Sequence, residues 1–481
     1  AQMCCKRGRI VLVGVAGLEL NRADFYEKEL TFQVSCSYGP GRYDENYEQK
    51  GHDYPFGFVR WTEQRNFEAV LDLMASKKLD VTPLISRRFP LDQAPEAYRQ
   101  IVADRSLLGV VLTYPETGVD MRRTIASGEK RSEVRGQKSE GRGQEAAGRR
   151  LQSVKPTVGV IGAGNFASLV LFPALAKTGA RLKTAASSGD PGAALAARKF
   201  GFAQATSDYR TIMDDPEINA VFIATRHNTH ARMVVEALRA GKHVFVEKPL
   251  ALNREQLAKV RAAYEQSSGL HLMVGFNRRF SPLARKMHDL LVGRAQPVTL
   301  IYTVNAGAIP ADHWTQDPEV GGGRIIGEGC HFIDLLRYLV AAPIVGLEAR
   351  MMGDARGVTI RQDKMTIVLE FADGSLGTVH YFANGSKRFP KERVEVFSEG
   401  RVLALDNFQA LTGYGWPGVG RTRLWRQDKG HAAEITAFVE RIARGGEPLI
   451  PFEELAEVTL ATFVAVERAE ERRSRGAEGD R

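Results

Sequence analysis

The run Val158-Gly159-Val160-Ile161-Gly162-Ala163-Gly164-Asn165-Phe166-Ala167 carries the strongest chemical signal in this chain of 481 residues. A strand-like segment feeds G-x-G-x-x-A and then a helical run. Gly162 permits a tight turn, Gly164 lets the backbone approach a pyrophosphate, and Ala167 lets helix and strand pack closely. Phosphates then sit against free N–H groups at the start of the helix. The spacing predicts a dinucleotide site contacted by Gly162, Gly164, Asn165, Phe166 and Ala167. The second strand ends Ala185-Ala186-Ser187-Ser188-Gly189-Asp190, so Ser187 and Ser188 stand where NAD usually meets an acidic residue. Hydroxyls there suit a ribose or a 2′-phosphate. NAD or NADP is expected, with NAD favoured.

Two further segments hold groups for acid–base chemistry. In Gly241 to Pro249, Lys248 falls at the C-terminal end of a parallel strand, facing the crevice where ligands bind in such sheets. The proline after it can hold a cis peptide that aims the lysine. Lys248 would donate a hydrogen bond to a reacting alcohol or ketone; the competing reading is an exposed surface lysine. The run Gly321 to Asp334 opens with three glycines, which allow close approach to a ligand. It leads into a helix with Leu335, Leu336 and Leu339 on its apolar face. His331, near that helix's first turn, is a candidate general base, since a helix N-terminus favours the neutral ring.

The elements that position these groups form distinct blocks. Residues 155–275 alternate strand-like runs (157–161, 182–186, 220–225, 243–247, 270–275) with helical ones, the rhythm of a doubly wound parallel sheet. Residues 276–430 read as an α+β domain with strands at 298–304, 365–371, 376–381, 393–397 and 402–405. Residues 431–481 read as a helical segment that packs back, with a disordered tail. Residues 1–118 have partial α/β texture: a buried strand at 8–14, amphipathic helices at 67–77 and 90–102, and a closing strand at 109–112. Residues 119–154 contain nine Lys or Arg and five Asp or Glu, with no aromatic residue. Such a segment cannot bury a core and reads as a charged flexible linker rather than a basic arm for nucleic acid.

Composition narrows the class. The net charge is +9 with 43% hydrophobic residues, and no apolar run reaches the ~18 residues of a spanning helix. No secretory signal follows Met3. The four cysteines, Cys4, Cys5, Cys36 and Cys330, show neither a disulfide framework nor zinc spacing. A cytoplasmic protein with no bound metal, no membrane and no nucleic-acid partner is expected.

Taken in order, the glycine fingerprint at 162–167, Thr225 to His230, the E-K-P at 247–249, Gly275 to Phe280 and the G-G-G…H-x-x-D run at 321–334 resemble the Gfo/Idh/MocA family of NAD(P)-dependent oxidoreductases. The likeness covers about 156–470. It implies a Rossmann domain followed by a large open, mostly antiparallel sheet that often forms oligomer contacts, hence a homo-oligomer. It also implies hydride transfer between a nicotinamide and a secondary alcohol of a sugar, inositol or nucleotide sugar. Lys248 and His331 would be the catalytic pair. Thr225, Asn228, His230, Glu247, Lys248 and Asn277 would lie at the cofactor. Two departures stand out: the family's aspartate four residues before the histidine is here Gly327, with Glu328 beside it as a substitute, and Arg226 replaces a usual proline. An NAD-dependent glycosidase and a catalytically impaired cofactor-binding protein are the alternatives. Residues 1–118, through Tyr38–Tyr43 and Arg60–Asn66, resemble the C-terminal part of a zinc-type medium-chain alcohol dehydrogenase, as in two-domain oxidoreductases. That family's zinc ligands and glycine fingerprint are not in this segment, which reads as a truncated fragment and not a second active site.

Overall fold

The computed structural model describes residues 3–14, 17, 20–35, 38–114, 123–127, 155–188, 192–353 and 360–479, with side chains to 471. The chain divides into two compact units, Ala1–Met121 and Arg122–Arg481. Cys36, Asp190 and the expected linker outside 123–127 lie outside the described residues.

In the first unit, β1 (Arg9–Leu12) pairs in parallel with β2 (Thr31–Val34), and β3 (Ile85–Pro90) with β4 (Gly109–Thr113). Helices span Glu63–Ala75 and Ala94–Ala103. The expected elements are present, but the expected burial of the first strand is not: β1 alternates exposed and half-buried residues. The apolar stripe of the first long helix is also open, with Phe67 51% and Leu71 62% exposed. Two separate two-stranded sheets offer no second layer broad enough to cover such faces. Phe89 and Ala97 are the unit's buried hydrophobic residues among those described.

The second unit opens with β5 (Thr124–Ala126), a strand inside the segment expected to be linker. Its backbone pairs antiparallel with β8 (Gln204–Thr206), at the edge of a seven-stranded sheet. The other strands run parallel: β6 (Thr157–Ile161), β7 (Arg181–Ala186), β9 (Ala220–Ile223), β10 (His243–Val246) and β11 (Leu272–Val274), in the order β11-β10-β9-β6-β7-β8-β5. Strands β6 and β9 are buried along their whole length, as expected for a sheet covered on both faces. The order reverses between β6 and β9, which creates a crevice at their carboxyl ends.

An eight-stranded sheet follows: β12 (Thr299–Asn305), β13 (Ile344–Met351), β14 (Lys364–Phe371), β15 (Leu376–Phe382), β16 (Glu392–Ser398), β17 (Arg401–Asp406), β18 (Ala410–Tyr414) and β19 (Arg421–Arg423). Its order is β13-β14-β15-β12-β16-β17-β18-β19, antiparallel except for β12 with β15. Period-two burial in β14 to β16 turns one face to the core and leaves Leu376, Phe382 and Phe397 about 40% exposed on the other. The helix Cys330–Val340 packs on the inner face. The C-terminal region forms two helices, His431–Arg444 and Phe452–Gly479, so the expected tail continues a helix. Phe438 of the first meets Phe222 and Phe245 edge-on or tilted at 5.6 and 5.8 Å, which fixes it over the Rossmann sheet. Among the described residues no helix is long and apolar enough to cross a membrane.

Candidate active site

The glycine fingerprint sits at the crevice. Gly162 has φ +105°, and a Cβ there would lie 2.2 Å from the Ala224 carbonyl oxygen, at the end of β9. Only glycine fits that turn. A Cβ on Gly164, by contrast, meets nothing within 4 Å. Asn165 and Phe166 are exposed, and Ala167 is buried against the sheet. The backbone at 164–166 is therefore open to a ligand, and these residues fit a dinucleotide pyrophosphate. At the end of β7, Ser187 is half-buried and Ser188 exposed.

Lys248 follows β10, and its peptide bond to Pro249 is cis. Its Nζ donates to the Gly327 carbonyl at 2.9 Å. Gly327 lies one helical turn before His331, so the ammonium and the imidazole, 83 residues apart in sequence, share one site. His331 is 6% exposed, and its Nδ1 has no hydrogen-bond partner among the described residues. Burial, reinforced by Arg278, Lys248, His431 and Lys429, drives its pKa far below the ordinary value. The ring is neutral at physiological pH and able to accept a proton only from a group close against it.

Glu328 was the expected stand-in for the missing aspartate. Its carboxylate instead accepts from Arg324 at 2.7 Å, Tyr381 Oη at 2.6 Å and Lys391 at 3.0 Å. Burial disfavours its charge, but Lys391, Arg324 and Lys248 outweigh this and hold its pKa well below the carboxylate range. No hydrogen bond joins it to His331 among the described residues; it is a fixed anion. The space of the missing side chain is filled by His227. A Cβ on Gly327 would lie 2.9 Å from His227 Cε1. His227 Nδ1 contacts the Gly321 carbonyl at 2.8 Å, and its ring meets Trp314 edge-on at 4.8 Å. Burial and then Lys248 lower its pKa to about 3.

Not every expected cofactor contact is free. His230 is fully buried: Nδ1 lies 2.8 Å from the Pro249 carbonyl and Nε2 3.2 Å from that of Thr225. Burial lowers its pKa to about 4, so the ring is neutral and donates at one nitrogen only. It ties two loops together and presents no edge to a ligand. Asn277 is 1% exposed and donates to the Lys429 carbonyl at 2.8 Å. It braces the start of the helix His431–Arg444. Asn228 is exposed and lines a separate cleft between the helices His230–Arg239 and Arg254–Glu265. Thr225 is half-buried, with Oγ1 2.6 Å from Thr229 Oγ1. The Arg226 guanidinium lies over Trp314 at 5.5 Å.

Glu247 lies against Gly275, where a Cβ would be 3.0 Å from its Oε1. Burial pushes its pKa up to about 7, against the pull of Lys248. Sequence reading missed Glu434, which is 0% exposed with neither carboxyl oxygen hydrogen-bonded among the described residues. Burial, then Glu247 and Asp334, raise its pKa well above normal. Its signal was an acid on the apolar face made by Ile435, Phe438 and Val439. Also missed was the buried cluster below His331, where Glu392 accepts from Arg278 at 2.7 Å, Tyr302 at 2.5 Å and Lys429 at 2.6 Å. Among the described residues no group of His, Cys, Asp or Glu is arranged to hold a metal.

Residues 157–276 match the oxidoreductase family with an NAD-binding Rossmann fold, and residues 286–403 match the GFO/IDH/MocA C-terminal domain. Levoglucosan dehydrogenase of Pseudarthrobacter phenanthrenivorans is 33% identical over 225 residues, 41% of this chain and 57% of that protein. The match thus spans little more than half of that relative. Myo-inositol 2-dehydrogenase of Thermotoga maritima is 28% identical over 57% of this chain and 85% of its own length. A solved levoglucosan dehydrogenase in complex with NADH and levoglucosan superposes with a TM-score of 0.57 at 26% identity, covering 66% of this chain and 98% of that one. Both matched segments lie after residue 156. Residues 157–403 thus carry the NAD-binding Rossmann domain and the C-terminal sheet domain of the Gfo/Idh/MocA family of oxidoreductases.

Proposed function

We propose that the protein oxidises a secondary alcohol of a sugar or inositol, or reduces the matching ketone, with NAD as the favoured cofactor. The convergence of Lys248 and His331 beside the open fingerprint carries this reading. A bound nicotinamide supplies the hydride acceptor. His331 accepts the hydroxyl proton, and its neutral state at physiological pH leaves it free to do so. Lys248 donates to the same oxygen and gives up its bond to the Gly327 carbonyl when substrate enters. The fixed Glu328 anion offsets one of the three positive charges of Lys248, Arg324 and Lys391 and so weakens their mutual repulsion. Thr225, Ser187 and Ser188 would meet the cofactor, whereas His230 and Asn277 would position its loops. Named relatives act on levoglucosan and inositols, which supports a polyol substrate.

The test is net NADH formation from NAD with a panel of sugars, inositols and nucleotide sugars. Formation with at least one polyol is expected. Binding of NADH with no net reduction by any of them would favour a glycosidase or a cofactor-binding role. We propose also that the open sheet face around Leu376, Phe382 and Phe397 pairs with a second copy, which sedimentation velocity reads as a dimer or larger.

A further inference from the structure

The rim of the eight-stranded sheet holds a cavity of about 790 Å³, a size usual for small-molecule sites. Lys387, Arg388, Lys391, Arg421 and Arg423 line it, against one acid, Asp406. Asp406 already accepts from Arg393 at 2.6 Å, and Lys391 is held by Glu328. The other four cationic heads have no ion pair or hydrogen bond among the described residues. Their gathering is dictated by the fold. Arg421 and Arg423 are two apart on β19, opposite Thr412 and Ala410, so both project from one face, the open face opposite the helix Cys330–Val340. The loop before β16 brings Lys387 and Arg388 to the same space. Like charges collected around a concavity repel one another and focus an attractive field on an anion.

Residues of the cavity wall also bond to the turn that precedes the helix Cys330–Val340. Gly307, in its wall, accepts through its carbonyl from Arg324 Nη1 at 2.7 Å, and Arg324 Nη2 donates to Glu328. Lys391 joins the same carboxylate from the cavity side. Glu328 is thus shared between the cavity wall and the turn that leads to His331.

We propose that this cavity binds the anionic end of the substrate, a carboxylate or phosphate carried on the polyol whose hydroxyl reacts at Lys248 and His331. The proposal rests on the dehydrogenase reading above. Arginine forks suit both anions, each of which offers paired oxygens.

The test is calorimetric titration of the NADH-loaded full chain with glucuronate, glucose 6-phosphate and glucose, at low and at raised sodium chloride. At least one anion is expected to bind tenfold or more tightly than glucose, with the advantage shrinking in salt. Which anion wins separates carboxylate from phosphate. The R421E/R423E double variant is expected to abolish the preference; a melting temperature equal to the parent's shows that it folds, and R421Q/R423Q serves in its place if it does not. Equal binding of all three sugars overturns the proposal. So does a preference that survives both double variants, including the case in which they change the sedimenting mass and so assign the cations to contact between copies. Because binding is read and not turnover, a lack of NADH formation in the polyol panel refutes the dehydrogenase reading alone.

Discussion

Substituting Gly327 by alanine isolates the role of His227. The added Cβ would lie 2.9 Å from His227 Cε1 and 3.1 Å from its Nδ1, with the Gly321 carbonyl next at 3.2 Å. Overpacking of this kind costs about 1–3 kcal/mol. Exchange of a helical glycine for alanine returns about 0.5–1 kcal/mol. Gly327→Ala is therefore expected to destabilise by up to about 2.5 kcal/mol, or a few degrees of melting temperature for a domain of this size. In a His227→Ala background both closest contacts vanish, and the same substitution is expected to stabilise by about 0.5–1 kcal/mol. His227→Ala alone is destabilising, because the Gly321 carbonyl loses its partner. Thermal midpoints of the four proteins of this cycle, with and without NADH, read the sign. A Gly327→Ala effect equal in both backgrounds would show that the imidazole does not occupy the missing side chain's space.

Other perturbations test the surrounding groups. Lys248→Ala is expected to retain NADH binding, measured by fluorescence, while turnover falls about a hundredfold or more; retained turnover would remove Lys248 from the chemistry. Glu434, buried neutral, has a folded pKa above its unfolded one, so the stability it contributes is present at acid pH and declines as pH rises above the ordinary carboxyl value. Glu434→Gln should therefore raise the melting temperature more at pH 8 than at pH 5, and an equal shift at both would contradict its neutral state. Glu392→Ala leaves Arg278 buried without its partner, a loss of about 3–5 kcal/mol to be read by denaturant melts; a smaller loss would mean water reaches that cluster. His331, held neutral, should show no change of its ring proton shift between pH 5 and 8; titration near pH 6.5 would place the ring in solvent.

Much of the fold is legible in the sequence because the parallel strands are continuous apolar runs and β14 to β16 alternate cleanly. Strand β13 escapes notice because Gly346, Glu348 and Arg350 interrupt its pattern and all but one of its residues are half-buried or exposed. Strand β19 is three residues long at a sheet edge, too short for periodicity to register. At the site, Lys248 and His331 could be singled out because their neighbours fix them at a strand end and a helix start. Side-chain direction is not written in spacing. His230 and Asn277 occupy positions expected at the cofactor, yet each turns into the protein to hold a backbone carbonyl. The hydrogen-bond donors to Glu328 come from residues 324, 381 and 391, and only tertiary packing unites them.

The most direct measurement is a crystal structure of the protein with NADH and a polyol that it turns over. One substrate oxygen is expected within about 2.6–3.2 Å of both Lys248 Nζ and His331 Nε2, with its carbon about 3–3.5 Å from the nicotinamide ring. A polyol bound while Lys248 stays on the Gly327 carbonyl, or with the two side chains on different substrate atoms, would contradict it.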